Sequence, residues 1–146
     1  MARVAIADVD TARHRAVALQ AAREGVVLLQ NGAGSEVGDA ALRLPLDKAK
    51  HKIVAMVGPM ANASMNLLSG YHGSPPFLTS PLDAMRAAWG ESAVLYAVGC
   101  NVSDADAGTP PGIAEAVEVA KKADVVVIGL GCGASPLPNQ PCCLLP

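Results

Sequence analysis

At 146 residues the chain has the length of one ordinary domain, able to bury roughly two-thirds of the surface its unfolded form exposes. Eleven basic against 13 acidic residues leave a net charge of −2 with no basic run, which excludes the electrostatic footprint of a nucleic-acid binder. No apolar run approaches the ~20 residues that span a bilayer, and a composition that is 51% hydrophobic but only 3% aromatic suits helices packed closely on a parallel sheet better than an all-β fold.

The first 15 residues lack the continuous apolar region of an export signal. Asp10 or Thr11 can cap a helix running to about Glu24, with Ala18, Leu19, Ala21 and Ala22 on its apolar side and Arg13, Arg15 and Arg23 facing water. Gly25 ends it. Val26, Val27, Leu28 and Leu29 then read as a short buried strand before a turn at Gln30-Asn31-Gly32. A Gly/Ala/Ser loop over residues 33–41 leads through Leu44-Pro45-Leu46 to the centre of the fold.

There, Ile53, Val54, Ala55, Met56 and Val57 form a strand buried on both faces and stopped at Gly58-Pro59. A helical segment over residues 61–68 follows, then an irregular loop over 69–79 carrying Tyr71, His72, Phe77 and two prolines. Open parallel sheets bind ligands beyond the carboxyl ends of their strands, so this loop lies where chemistry is expected.

Ser80 as cap, Pro81 at the first helical position and Asp83 at the third predict a capping-box start for a helix that ends at Trp89 and Gly90. Trp89 reads as a core residue. Val94, Leu95, Tyr96 and Ala97 make the next strand, and residues 101–112 an exposed loop. Ile113, Ala116, Val117, Ala120 and Ala123 mark an amphipathic helix, with Glu118 and Lys122 paired one turn apart on its outer face. Asp124 hands over to Val125-Val126-Val127-Ile128, the least ambiguous buried strand of the chain.

Helix and strand thus alternate, which implies an α/β fold with right-handed crossovers and a mainly parallel sheet sandwiched by helices. After Ile128 the alternation stops, because Pro136, Pro138 and Pro141 forbid a continuing helix. The fold therefore reads as truncated on its C-terminal side, with a partial domain over residues 1–131 and a divergent Pro/Cys-rich tail over 132–146.

Several chemical patterns are formally present. Cys100, Cys132, Cys142 and Cys143 have no C-x-x-C spacing, so no metal site is expected. Gly129-x-Gly131-x-Gly133 follows a strand as a phosphate cradle would, but prolines replace the helix that cradle needs, and no cofactor is expected. Asn62-Ala63-Ser64 and Asn101-Val102-Ser103 are glycosylation sequons, and Asp104 with Asp106 fit a solvated turn better than a cation site.

Val57-Gly58-Pro59-Met60-Ala61-Asn62-Ala63, Leu67-Leu68-Ser69-Gly70-Tyr71-His72-Gly73 and Thr79-Ser80-Pro81-Leu82 closely resemble the second domain of family 3 glycoside hydrolases, nearest the β-xylosidase-like branch with its GPxANA and GNYxG signatures. Residues 18–25, 27–31, 96–102 and 121–127 are similar to further segments of that family, in the family's order. The resemblance implies a retaining glycosidase that hydrolyses terminal β-linked sugars through two carboxylates ~5 Å apart. It places the nucleophilic Asp on a preceding barrel domain, the partner of this domain in the parent enzyme. It places the acid/base Glu just after the strand matching 125–128, where this chain reads Gly129-Leu130 and then GCGASPLPNQPCC, and no Asp or Glu follows Asp124.

Accordingly no catalytic residue carries over. What the resemblance leaves is a sugar-binding wall at Tyr71 and His72, for a β-linked oligosaccharide or monosaccharide; the alternative is that Tyr71 packs on the loop's own prolines and His72 is merely solvated. Nucleic acid and membrane are not expected partners. The expected function is that of a partial glycoside hydrolase of exo-β-xylosidase or β-glucosidase type, without turnover as an isolated chain. The alternatives are a noncatalytic carbohydrate-binding or interaction module, or an inert gene fragment.

Overall fold

The computed structural model describes residues 5–32, 43–68, 72–100 and 112–131. The chain divides into two compact units, Met1–Pro45 and Leu46–Pro146.

In the first unit, helix α1 spans Ala12–Gly25. Of the two cap candidates Thr11 serves, its Oγ1 accepting the His14 N–H at 3.3 Å, while Asp10 turns to Arg15 and accepts from its Nε at 2.8 Å. Val26 to Leu29 correct the expectation of a buried strand. They are between 59% and 93% exposed and belong to no sheet among the described residues. Their β-branched, apolar character suits a sheet, but a strand needs an edge to pair with, and this unit offers none among its described residues. Asn31, read only as a turn residue, closes the unit: its Oδ1 accepts from the amides of Arg43 (2.9 Å) and Leu44 (2.8 Å), and its Nδ2 donates to Leu44 O at 2.8 Å.

The second unit holds the sheet. Strands β1 (Val54–Val57), β2 (Val94–Ala97) and β3 (Val125–Ile128) are parallel in the order β2-β1-β3, with Met56 level with Tyr96 and Val127. All four residues of β1 are buried, as a central strand with both faces covered requires. Helix α2 (Pro81–Trp89) joins β1 to β2, and helix α3 (Gly112–Ala120) leads from β2 to β3. The two crossovers run in opposite directions from and across the centre, so right-handedness puts the two helices on opposite faces. Met56, Ala61, Leu82 and Val94 form the core of the α2 face, with Met85, Trp89, Tyr96 and Val127 packed against it.

The local signals at α2 hold in detail. Ser80 Oγ accepts the Asp83 N–H at 3.1 Å, and Asp83 Oδ2 accepts from Ser80 N at 2.9 Å and from the Ser80 hydroxyl at 2.8 Å. Ser80 is fully buried, so this closed exchange spares the helix start an unsatisfied polar group. Trp89 is half-buried at the rim of the core, where its indole N–H donates to His51 O at 2.9 Å and the Lys48 ammonium lies 5.0 Å over its ring. Residues 61–68 form a five-residue 3-10 helix, Ser64–Leu68, preceded by turns.

Three further expectations are corrected. β3 is an edge among the described strands and is exposed on one face: Val126 (38%) and Ile128 (62%) alternate with better-buried Val125 and Val127, because an unbroken apolar run cannot reveal whether one or both faces of a strand are covered. Helix α3 ends at Ala120, short of Ala123. Glu118 therefore pairs with Lys121 at 2.7 Å, three residues on, and not with Lys122. Asp124, which the sequence placed only as a handover, fastens two strands. Its Oδ2 accepts the amides of Lys52 and Ile53 at 2.8 Å each, and its own N–H donates to Ile53 O at 2.9 Å.

Candidate strand-end site

Beyond the carboxyl ends of the three strands, their exit turns are knitted into one layer. Gly58 N–H donates to Ala97 O (3.2 Å), Gly129 N–H to Val57 O (2.7 Å), Met60 N–H to Gly129 O (3.0 Å) and Ala61 N–H to Gly58 O (3.2 Å). Leu82 N–H reaches Ala61 O at 2.8 Å, so the first turn of α2 joins the same layer. Two glycines make this approach possible. Gly58 sits at φ +103°, and a Cβ there would stand 2.4 Å from Gly129 O; a Cβ on Gly129 would stand 2.8 Å from Ala61 N.

The first glycine of the Gly129-x-Gly131-x-Gly133 run is part of this layer. A cradle needs amide N–H groups aimed at the anion, and the Gly129 N–H is already donated to Val57 O. The N-terminus of α2 is likewise occupied, since Asp83 supplies its negative charge.

The loop carrying the sugar-wall candidates leaves this layer through the Ser64–Leu68 turn and returns at Ser80. His72 is exposed, with Nδ1 2.7 Å from Gly73 O. Tyr71 lies outside the described residues, so the two candidates are not brought together here. Phe77 is exposed in the same loop and was given no role by its sequence.

Two carboxylates of the second unit, Asp83 and Asp124, are tied into backbone contacts. Asp83 is held below its ordinary value of 3.8, first by the Ser80 amide and then by its hydroxyl. Asp124 is held below 3.8 by the amides of Ile53 and Lys52, at the amino edge of the sheet and away from the exit layer. A group stabilised as the carboxylate is a poor proton donor near neutrality. Among the described residues no group of three or more His, Cys, Asp or Glu side chains could hold a metal ion, and no helix is long and apolar enough to cross a membrane.

Comparison with known proteins agrees with this geometry. Residues 26–134 match the family model of the glycosyl hydrolase family 3 C-terminal domain. Beta-D-xylosidase 3 of Arabidopsis thaliana is 38% identical over 128 residues, covering 88% of this chain and 15% of that protein. A beta-xylosidase of Formosa agariphila is 36% identical over 131 residues, covering 85% of this chain and 17% of its own length. A solved GH3 exo-beta-xylosidase, XlnD, in complex with a xylobiose aziridine activity-based probe, superposes with a TM-score of 0.67 at 36% identity, over 84% of this chain and 14% of that one. The chain thus spans less than a fifth of the length of the curated relatives it matches.

Proposed function

The chain belongs to glycoside hydrolase family 3 through the family's C-terminal α/β domain, and from that premise we propose that it forms one wall of a β-xyloside site while lacking the proton donor for cleavage. The parent activity under this reading is the removal of non-reducing-end β-xylosyl or related residues from oligosaccharides, with the nucleophile supplied by an N-terminal barrel domain. His72, with Tyr71 beside it in sequence, contacts the sugar from the loop that leaves the exit layer. The domain occupies residues 1–131, and 132–146 is a divergent tail.

One observation carries the reading: the family match runs through the loop and the exit layer, yet no Asp or Glu follows Asp124. Retaining glycosidases need two carboxyl groups flanking the scissile bond, one of which must hold a proton at the working pH. Asp83 and Asp124 are both tied into backbone contacts that favour the charged form. By itself the 146-residue polypeptide should therefore bind xylosides weakly and release no sugar. Incubation with an aryl β-xyloside and calorimetric titration with xylobiose test this together. Sugar released with retained anomeric configuration would overturn the missing-donor half. No saturable heat up to high millimolar xylobiose would overturn the wall half and leave an inert piece.

A further inference from the structure

Gly73 O is an acceptor with no hydrogen to give, and His72 Nδ1 stands 2.7 Å from it. At that separation one of the two atoms carries a proton, and only the ring nitrogen can. We infer that neutral His72 is held as its Nδ1–H tautomer, so that Nε2 meets a sugar as a lone-pair acceptor for a hydroxyl hydrogen. This inference rests on the wall reading above for the identity of its ligand, but not for the tautomer itself.

The fastening is local. The acceptor belongs to the next residue, so forming the bond closes only a short ring and orders little additional chain. Pro75 and Pro76 follow, with their φ angles fixed, which narrows the conformations open to the rest of the loop. His72 is exposed as a residue. The role assigned is positioning and selection, with no proton transferred.

An acceptor at this point sorts ligands by chemical class. A neutral sugar with a hydroxyl there can donate to Nε2. Removal or methylation of that hydroxyl takes the donor away. A carboxylate or phosphate at the same position meets lone pair with lone pair, so uronates and sugar phosphates are disfavoured.

Two measurements on the full 146-residue chain, both at pH 8, test the inference. In long-range nitrogen-detected NMR, with His72→Gln used for assignment, Nδ1 should show the shift of a protonated ring nitrogen and Nε2 that of a bare one. The opposite pattern, or equal averaging of the two, overturns the tautomer. In xylobiose titrations, His72→Gln keeps an acceptor oxygen and should stay within about threefold of the unsubstituted chain, while His72→Ala should weaken binding about three- to tenfold, as loss of one net hydrogen bond predicts. His72→Lys, which can only donate, should be no better than the alanine variant; affinity equal to the unsubstituted chain refutes the acceptor role. If the unsubstituted chain binds no xylobiose, the wall reading and the sugar half of this inference fall together. A wrong tautomer fells this inference alone.

Discussion

Substituting Gly58 by alanine should cost more than any other single methyl group added at the described glycines of the sheet's exit layer. Two separate penalties meet there. An L residue at φ +103° carries roughly 1–2 kcal/mol of backbone strain. The new Cβ would also stand 2.4 Å from Gly129 O, so the backbone of Gly129 must retreat to reach ordinary contact near 3.4 Å. That retreat strains the 2.7 Å bond to Val57 O and the 3.0 Å bond from Met60 N–H, each worth about 0.5–1.5 kcal/mol net. Together the loss is on the order of 2–5 kcal/mol, against a total stability of about 5–15 kcal/mol for a typical domain. Urea denaturation of three variants followed by circular dichroism separates the parts. Gly90→Ala has a positive φ (+97°) with ψ 145° but no atom within 4 Å of its Cβ and should lose only the strain, about 1–3 kcal/mol. Gly73→Ala has neither penalty and should stay within about 0.5 kcal/mol. If Gly58→Ala loses no more than Gly90→Ala, the exit turns are not packed backbone to backbone and the account of the layer is wrong.

Other perturbations follow from the same packing. Leu82→Ala removes a fully buried side chain from the Met56 cluster and should lower stability by about 2–5 kcal/mol in urea, whereas a loss under 1 kcal/mol would mean that α2 does not cover the sheet. Asp83 and Asp124 have folded-state pKa values below 3.8, so their contribution is present above that unfolded value and is lost as pH falls through the lower folded one. Urea midpoints should therefore drop between about pH 5 and pH 2, and Asp124→Asn should flatten part of that drop; an unchanged pH profile in the variant would show that the Lys52 and Ile53 amides do not depend on the charge. Trp89→Phe deletes the indole bond to His51 O and should cost about 0.5–1.5 kcal/mol from that bond alone, read as a shift of the urea midpoint by circular dichroism.

Much of the second unit was legible in residue order because its signals are local. Ser80, Pro81 and Asp83 specify a helix start from within four consecutive residues, and the bonds they make are the ones the pattern predicts. The apolar runs at 54–57 and 94–97 likewise need no distant information to be read as strands. The errors fall where a distant partner decides. Val26 to Leu29 have strand composition but no paired edge among the described residues. Val126 and Ile128 read as buried and are exposed, since what covers each face of a strand is set by elements distant in the chain. Lys121 displaces Lys122 because α3 ends one turn early. The site divides in the same way. The loop and its candidate His72 could be placed after a strand from residue order, but which ring nitrogen stands against a carbonyl depends on where Gly73 O lies.

From its residues alone this chain is committed to small-residue α/β packing, to a parallel sheet, to the glycosidase resemblance and to having no acid after Asp124, because composition, periodicity and side-chain chemistry are properties of the chain itself. Which strand lies at the centre, which glycines must remain glycine, and that the Asp124 carboxylate joins the starts of β1 and β3 were decided only by folding. Those are relations between atoms dozens of residues apart, and such distances exist only once the chain has closed on itself.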